Sequence, residues 1–428
     1  MTNQQLLHLL QSEVIPAIGC TEPIAVALCV ARATEKLGTE PERIQVSLSK
    51  NVYKNALAVG IPNTGMTGLP IAIALGATVG RSQYMLEVLR DTTPEAVAYA
   101  QQYMKRVPAT ISIQYDAPSL LYIHAQVSSA DHTATATIID NHTNFVDDYT
   151  PSSSHHTSSP SSLSNLTLQR VYDFAMQVDS KDIEFLLDGA QMNQQAAETS
   201  FANEYGHKLG RLLHPSTLLQ TPHLQQLFGN TQFTKIISYT CGACDARMSG
   251  AMVPVMSNSG SGNQGISCSV PVYIYAQENH CSHEQTLRAL ALSNLTVIYV
   301  KQSLGRLSAL CGCVVAATGS AAGITYLMGG SYQEITYAIK NMIANISGMI
   351  CDGAKPGCAL KVTSGVATAI FSAYLAMQHS YADYTEGIVE DDIDRTIRNL
   401  TRIGHDGMKV TDDLILDIMM HKQQVNNQ

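Results

Sequence analysis

Ten cysteines stand in this chain of 428 residues, and their grouping is the first feature with chemical content. Cys311 and Cys313 lie in ALCGC, and Cys351 and Cys358 flank the turn DGAKPG. Cys241 and Cys244 form a CxxC in YTCGACDARMSG, and Cys20 stands alone in IGCTEP. Such thiols grip a single zinc ion, hold an iron–sulfur cluster, or fill the core as small apolar side chains. A structural zinc site wants two close pairs, and the one CxxC has no match. The CGC pair is read as strand and as a poor chelating pair. A cluster draws ligands from separate segments over a wider cage, and one cysteine of CGC with Cys351 and Cys358 supplies three. Three thiolates on a cubane leave one iron open, which is what Lewis-acid chemistry needs. Buried structural thiols are the alternative, and Cys29, Cys268 and Cys281 read most simply that way.

The run SNSGSGNQG at 257–265 supplies a complementary half. Glycine lets the backbone approach a ligand closely, and successive N–H groups form an anion-binding nest. No Lys-Ser/Thr follows, as a Walker loop requires, and no βαβ strand precedes, as a dinucleotide fingerprint requires. A small carboxylate therefore suits the run better than a nucleotide, with a tight loop between helices as the alternative. Arg247 in DARM is either a carboxylate partner or the partner of a structural acid, and Asp352, Glu22 and His405 are open in the same way.

The elements that position these residues change character along the chain. Residues 1–36 read as helix interrupted at PAIGCTEP. The stretches 44–49 and 111–140 alternate apolar and polar residues, the period of half-buried strands, with a helix at 94–106 between them. Residues 150–165, TPSSSHHTSSPSSLSN, read as a linker in which His155 and His156 are solvated. Beyond it, apolar residues recur at helical spacing over 165–188, 191–212, 283–304, 331–350, 364–378 and 389–402. The expected fold is α+β, a mostly helical catalytic body with an inserted α/β segment. Its expected units are a helical segment 1–36 packing with the C-terminal body, an α/β domain 37–149, the linker 150–165, and a helical catalytic domain 166–428.

Composition narrows the function classes. Charged residues make up 14% of the chain, below the usual share of about 25%, and the net charge is −9 with no Lys/Arg cluster. Nucleic acid is excluded as a partner, because phosphate binding rests on clustered cations. So little charge favours tight packing through small residues, and a homo-oligomer, expected as a dimer, that hides surface. The start lacks a basic segment followed by an apolar run and a cleavage site, so a cytoplasmic protein with reduced thiols is expected. Two uncharged windows, 55–80 and 307–331, pass for membrane spans in a hydropathy scan. IPNTGMTGLP breaks the first, and the second, rich in Gly, Ser and Thr, reads as a buried helix, so no membrane partner is expected.

Taken together, IGCTEP, DARMSG with PVMSNSGSGNQGI, SALCGCVVAATGSAAG and NMIANISGMICDGAKPGCALK resemble L-cysteine desulfidase and its uncharacterised relatives. That group is similar in turn to the α chain of iron–sulfur L-serine dehydratases, and the similarity runs to GHDGMKVTDDLILDIM at 404–419. The resemblance implies a 4Fe–4S lyase that carries out α,β-elimination on a small amino acid, converting L-cysteine and water to pyruvate, ammonia and hydrogen sulfide. L-Serine dehydration, or a noncatalytic relative that binds a metal or small ligand, are the alternatives; no lysine sits in a convincing pyridoxal phosphate context. The implied cluster ligands are Cys311, the first cysteine of CGC, with Cys351 and Cys358. Lys355-Pro356-Gly357 would turn the chain so that Cys351, ending one helix, and Cys358, starting the next segment, face one cluster. Cys20 is implied as the cap of the fourth iron or as base, two roles the sequence does not separate, and Lys361 as another proton acceptor. Asn258, Ser259, Ser261, Gly262 and Asn263, with Arg247, are implied as the binding site for the substrate carboxylate. Cys241 and Cys244 are a redox pair or incidental thiols near the pocket.

Overall fold

The alternation over 44–49 and 111–140 becomes a sheet in the computed structural model, which describes residues 1–426 apart from 131, 147–165 and 306. The expected linker 150–165, with His155 and His156, lies outside the described residues. The strands are β1 (Pro16–Ile18), β2 (Arg43–Leu48), β3 (Thr110–Ile113), β4 (Tyr122–Ser129), β5 (His132–Ile139) and β6 (Pro254–Met256). One sheet has the order β3-β2-β4-β5, with β3 parallel to β2 and the other pairs antiparallel. Its inner residues, among them Ile44, Val46, Ile123, Ala125 and Ile138, share a core with the helices Thr21–Leu37, Leu69–Thr78 and Pro94–Arg106. The outer residues alternate toward solvent, as one-sided antiparallel sheets do.

Residues 1–36 divide between two cores. Leu6 and Leu10 of the helix Asn3–Glu13 bury themselves in the helical body, whereas Ile24 to Ala33 belong to the core of the sheet. The seam between the cores passes Cys20 rather than residue 36, because the apolar face of Thr21–Leu37 fits against β4 and β5.

The body is built around the helix Gly312–Leu327, which packs against His283–Leu304, Gly262–Glu278, Tyr332–Ile346 and Cys358–Met377. Every residue from Cys313 to Thr325 is buried, which explains an uncharged Gly/Ala run without a membrane. Glycine permits this contact: a Cβ at Gly319 would stand 2.5 Å from the Ser293 carbonyl oxygen. Pro271, inside Gly262–Glu278, cannot donate to the Ser267 carbonyl one turn earlier, and Ser320 of the central helix donates to that carbonyl instead. The fold is α+β with a mostly helical body, in line with the sequence reading. One described helix, Cys358–Met377, is long and apolar enough to cross a membrane by length and composition, whereas the two windows singled out in the sequence hold helices of 10 and 16 residues. Cys358–Met377 buries Ala359, Val362, Val366 and Ala369 against the body.

The C-terminal helix Lys409–Asn426 docks back on the helix Lys50–Ala56. Lys54, 2% exposed, pairs with Asp412, Asn51 donates to the same carboxylate, and Lys50 pairs with Asp413 at 2.6 Å. Lys54 also donates to the Cys351 carbonyl at 3.2 Å, which ties this docking to the cysteine loop. Removing one member of a buried ion pair leaves the other unpaired and costs about 3–5 kcal/mol, whereas replacing both by apolar groups is near neutral. Asp412→Asn is therefore expected to lower the unfolding free energy by about 2–3 kcal/mol, Asp412 being slightly exposed, and Lys54→Met with Asp412→Leu by far less. Urea titrations of the single and double variants measure the coupling, and additive losses would show that the pair does not hold the helix.

Candidate active site

Four of the long helices start around one cavity of about 90 Å³. They are Thr21–Leu37, Gly262–Glu278, Gly312–Leu327 and Cys358–Met377, and Cys20, Ser261, Cys311 and Gly357 stand immediately before them. None of these four residues caps its helix with a side-chain hydrogen bond. By contrast, Asn3–Glu13, His283–Leu304 and Tyr332–Ile346 carry full capping boxes. An uncapped start leaves N–H donors and a partial positive charge directed outward, a setting for anions and thiolates. The volume lies far below the roughly 300–1,000 Å³ of drug-sized pockets, which favours small occupants.

Short local contacts bring these ends together. β1 pairs with β6, the Ser257 N–H donates to the Ile15 carbonyl at 2.9 Å, and the Thr21 hydroxyl donates to the Gly260 carbonyl at 2.8 Å, so Cys20 meets the 257–263 loop. A Cβ at Gly265 would stand 2.0 Å from the Met256 carbonyl oxygen, so only glycine lets this helix begin so close to β6. Leu310 bridges Ile350; the Cys311 N–H donates to Met349 at 2.9 Å and the Cys351 N–H to Ala309 at 2.6 Å. This bridge sets Cys311 beside Cys351. Cys351 lies in an extended segment beyond the helix Tyr332–Ile346 and does not end a helix, because the bridge takes over its backbone donor. The strand geometry expected of CGC is also absent, since Cys311 precedes a helix and Cys313 lies in its first turn, and both line the cavity.

Of the residues singled out in the sequence, Cys20, Arg247, Ser261, Asn263, Cys311, Cys351, Cys358 and Lys361 all line this cavity. Gly262 lies against its wall, where a Cβ would stand 2.3 Å from Arg247 Nε. Asn258 and Ser259 do not line it. Asn258 donates to the Asn294 side chain at 2.9 Å and accepts from the Ser259 hydroxyl at 2.8 Å, so the two brace the loop. Ser259 and His405 face a separate open cleft of about 1160 Å³ on the other side. Cys241 and Cys244 are buried behind the cavity, Cys241 at 2.7 Å from the Thr363 hydroxyl. Asn55, Gln264, Gly312 and Cys313 also line the cavity, as does Glu22, which the sequence left open. Gln264 was readable in SNSGSGNQG, but nothing around Asn55 in NVYKNALAV marked it.

The thiols respond differently to burial. The hydrogen bond from Cys313 holds the Cys311 thiol down to about 7 in spite of burial, and pushes Cys313 well up. Burial raises Cys351, with Cys311 adding to the effect, and takes Cys358 up to about 11. Burial and Glu22 together raise Cys20 well above the ordinary thiol value. Burial alone would also raise Glu22, but His142, the Cys20 thiol and Arg247 outweigh it and keep the carboxyl below its usual value. For Lys361 burial works downward, yet the pair with Asp352 raises it and holds the ammonium.

Among the described residues no three His, Cys, Asp or Glu side chains crowd closely enough to grip a single ion. A cubane presents separate irons and takes thiolates standing further apart, and Cys311, Cys351 and Cys358 come to the cavity from three separate elements. Arg247 is the second unusual feature. It is 2% exposed and donates to Asn263 Oδ1 at 3.0 Å, while its Nε has no partner and no carboxylate pairs with it among the described residues.

Residues 83–417 match the family described as "Serine dehydratase alpha chain". A "UPF0597 protein" of Phocaeicola vulgatus is 55% identical over 431 residues, covering 98% of each chain. One from Bacteroides fragilis is 55% identical over 426 residues, again 98% of each. One from Oleidesulfovibrio alaskensis is 43% identical over 425 residues, 97% of this chain and 98% of its own.

A buried cation without an anion is unfavourable by several kcal/mol. Arg247→Met is accordingly expected to raise the unfolding free energy of the apoprotein by about 1–3 kcal/mol. Thermal denaturation of the two apoproteins checks this, and a lower midpoint for the variant would show that Arg247 is structurally satisfied.

Proposed function

The chain belongs to the serine dehydratase alpha chain family, and on that premise we propose that it is an iron–sulfur lyase performing α,β-elimination on a small amino acid. The proposed reaction converts L-cysteine and water to pyruvate, ammonia and hydrogen sulfide, with L-serine the substrate to be compared against it. The observation that carries the reading is the convergence of Cys311, Cys351 and Cys358 on a small cavity ringed by uncapped helix starts.

The donor set fits a 4Fe–4S cluster held by Cys311, Cys351 and Cys358. When bound, such a cluster supplies an open iron as Lewis acid for charge developing on the substrate. The chain's own residues have the remaining tasks. Arg247, steadied by Asn263, and the N–H groups at the start of Gly262–Glu278 receive the carboxylate. Negative charge grows beside that carboxylate as the α-proton leaves, so donors fixed there beforehand favour the transition state. Lys361 is paired with Asp352 and donates to the Ile350 carbonyl at 2.8 Å, so it serves as fixed positive charge near the thiols. An ammonium has no lone pair to offer. The role of base then falls to Cys20 in its thiolate form; at rest its Sγ–H donates to Glu22 Oε2 at 3.1 Å at the cavity wall.

Protein purified without oxygen is expected to be brown, to lose its broad visible absorbance in air, and to release sulfide and pyruvate from L-cysteine. Cys311→Ser, Cys351→Ser and Cys358→Ser should each lose colour and turnover, whereas Cys20→Ser should keep the colour and lose turnover. Iron and labile sulfide analysis beside anaerobic assays on L-cysteine and L-serine decides between substrates. Brown protein inert toward both would reject the lyase.

A further inference from the structure

Arg247 is not the only buried charged group at the cavity. Glu22, 8% exposed, faces the same space. The two charges sense one another, yet they do not pair. A buried cation and a buried anion that share a cavity without meeting leave a gap between them, and a zwitterion fills such a gap.

The acceptors at the Glu22 end can be counted. Two carboxylate oxygens offer about four acceptor sites. Oε2 takes the Cys20 thiol at 3.1 Å and stands 3.1 Å from the Thr21 hydroxyl, whose single proton goes to the nearer Gly260 carbonyl, and Oε1 takes the Asn55 amide at 3.0 Å, so the carboxylate keeps acceptor capacity. Because the Asn55 amide nitrogen is turned to Glu22, its Oδ1 is left over, buried and without a partner. Gln264 Oε1 is buried and without a partner as well. Three acceptors thus stand open around one cavity. A primary ammonium carries three N–H donors, and neither a hydroxyl nor a carboxylate can satisfy all three.

We infer that Glu22, Asn55 and Gln264 form an ammonium-binding site in the cavity that also holds Arg247, so that the cavity selects the zwitterion of a small α-amino acid. The inference rests on the lyase reading for the reaction that follows, but recognition precedes chemistry and is measured apart from it. Glu22 and Asn55 lie upstream of residues 83–417, so this end of the cavity is supplied by a part of the chain outside the family match. The site also accounts for the burial of the start of Thr21–Leu37 at the seam: the sheet layer brings Glu22 and Asn55, and the body brings Arg247, Gln264 and the cysteines.

L-Alanine is the probe, because it has the zwitterion and no leaving group, so binding is read without turnover. Calorimetric titration of anaerobically purified protein is expected to show L-alanine binding, with L-lactate, which exchanges ammonium for hydroxyl, weaker by about a hundredfold. Glu22→Gln and Gln264→Leu should erode that preference while leaving the weak L-lactate affinity within about twofold. Equal binding of L-alanine and L-lactate by the unaltered protein would overturn the inference, as would variants that weaken both ligands alike. If the alanine preference holds and neither L-cysteine nor L-serine is consumed, the lyase falls and the zwitterion site stands. If an amino acid is consumed with no alanine preference, the reverse is true.

Discussion

Four helix starts left uncapped around one small cavity are the constraint on which the rest of the molecule depends. Each start exposes N–H donors and about half a positive charge, which within a low-dielectric interior is unfavourable unless an anion answers it. The chain places thiols, which become anions only as ligands or thiolates, at three of the four starts: Cys20 and Cys311 precede their helices, and Cys358 opens its own. A cap made by Ser, Thr or Asp would have satisfied each helix locally and closed the site to a ligand. The capping boxes appear instead at Thr2, Ser282 and Ser331, away from the cavity.

Bringing four helix ends within reach of one small space forces the helices together along their length, and this accounts for the composition. The central helix has neighbours on all sides, so charge has no place on it and small residues set the spacing. Gly319 and Gly323 admit the backbone of His283–Leu304, and Gly365 admits that of the central helix. Hydroxyls inside the body answer carbonyls: Ser293 donates to Cys268 at 2.7 Å and Thr318 to Val314 at 2.8 Å. The low share of charged residues is thus a property of the interior, and the long apolar run at 312–327 is the centre of the core.

The charges that are buried fall into two kinds. Lys54 and Asp412 are matched to each other, and through the Cys351 carbonyl they connect the C-terminal helix to the cysteine loop. Arg247 and Glu22 are not matched to each other. A protein selected only for stability would have paired or replaced them, so leaving them apart reads as a requirement of the ligand. The same tension appears in Gln264 and Asn55, whose amide oxygens are buried without donors.

Much of this was legible in the sequence where the signal is local. Alternation gave the sheet strands, turn and charge patterns gave Pro94–Arg106, His283–Leu304 and Ile393–Arg402, and cysteine grouping gave Cys311, Cys351 and Cys358 as candidates to meet. Gln232–Met248 and Gly262–Glu278 were not legible as helices, because a helix buried on every side has no polar face and so no period to read. Cys313 was set aside because CGC was read as strand, and only the bridge between Leu310 and Ile350 decides that a helix starts there. The sequence by itself determined the residue chemistry: which thiols, which cation and which small-residue loop exist, and how far apart along the chain. The tertiary structure alone decided that Glu22 and Asn55, carried by the sheet layer, face Arg247 and Gln264 across the seam, with Asn258 and Ser259 turned away. Residues 20 to 361 become neighbours through two-layer packing and short backbone bridges, and such long-range contacts leave no periodic trace in a single sequence.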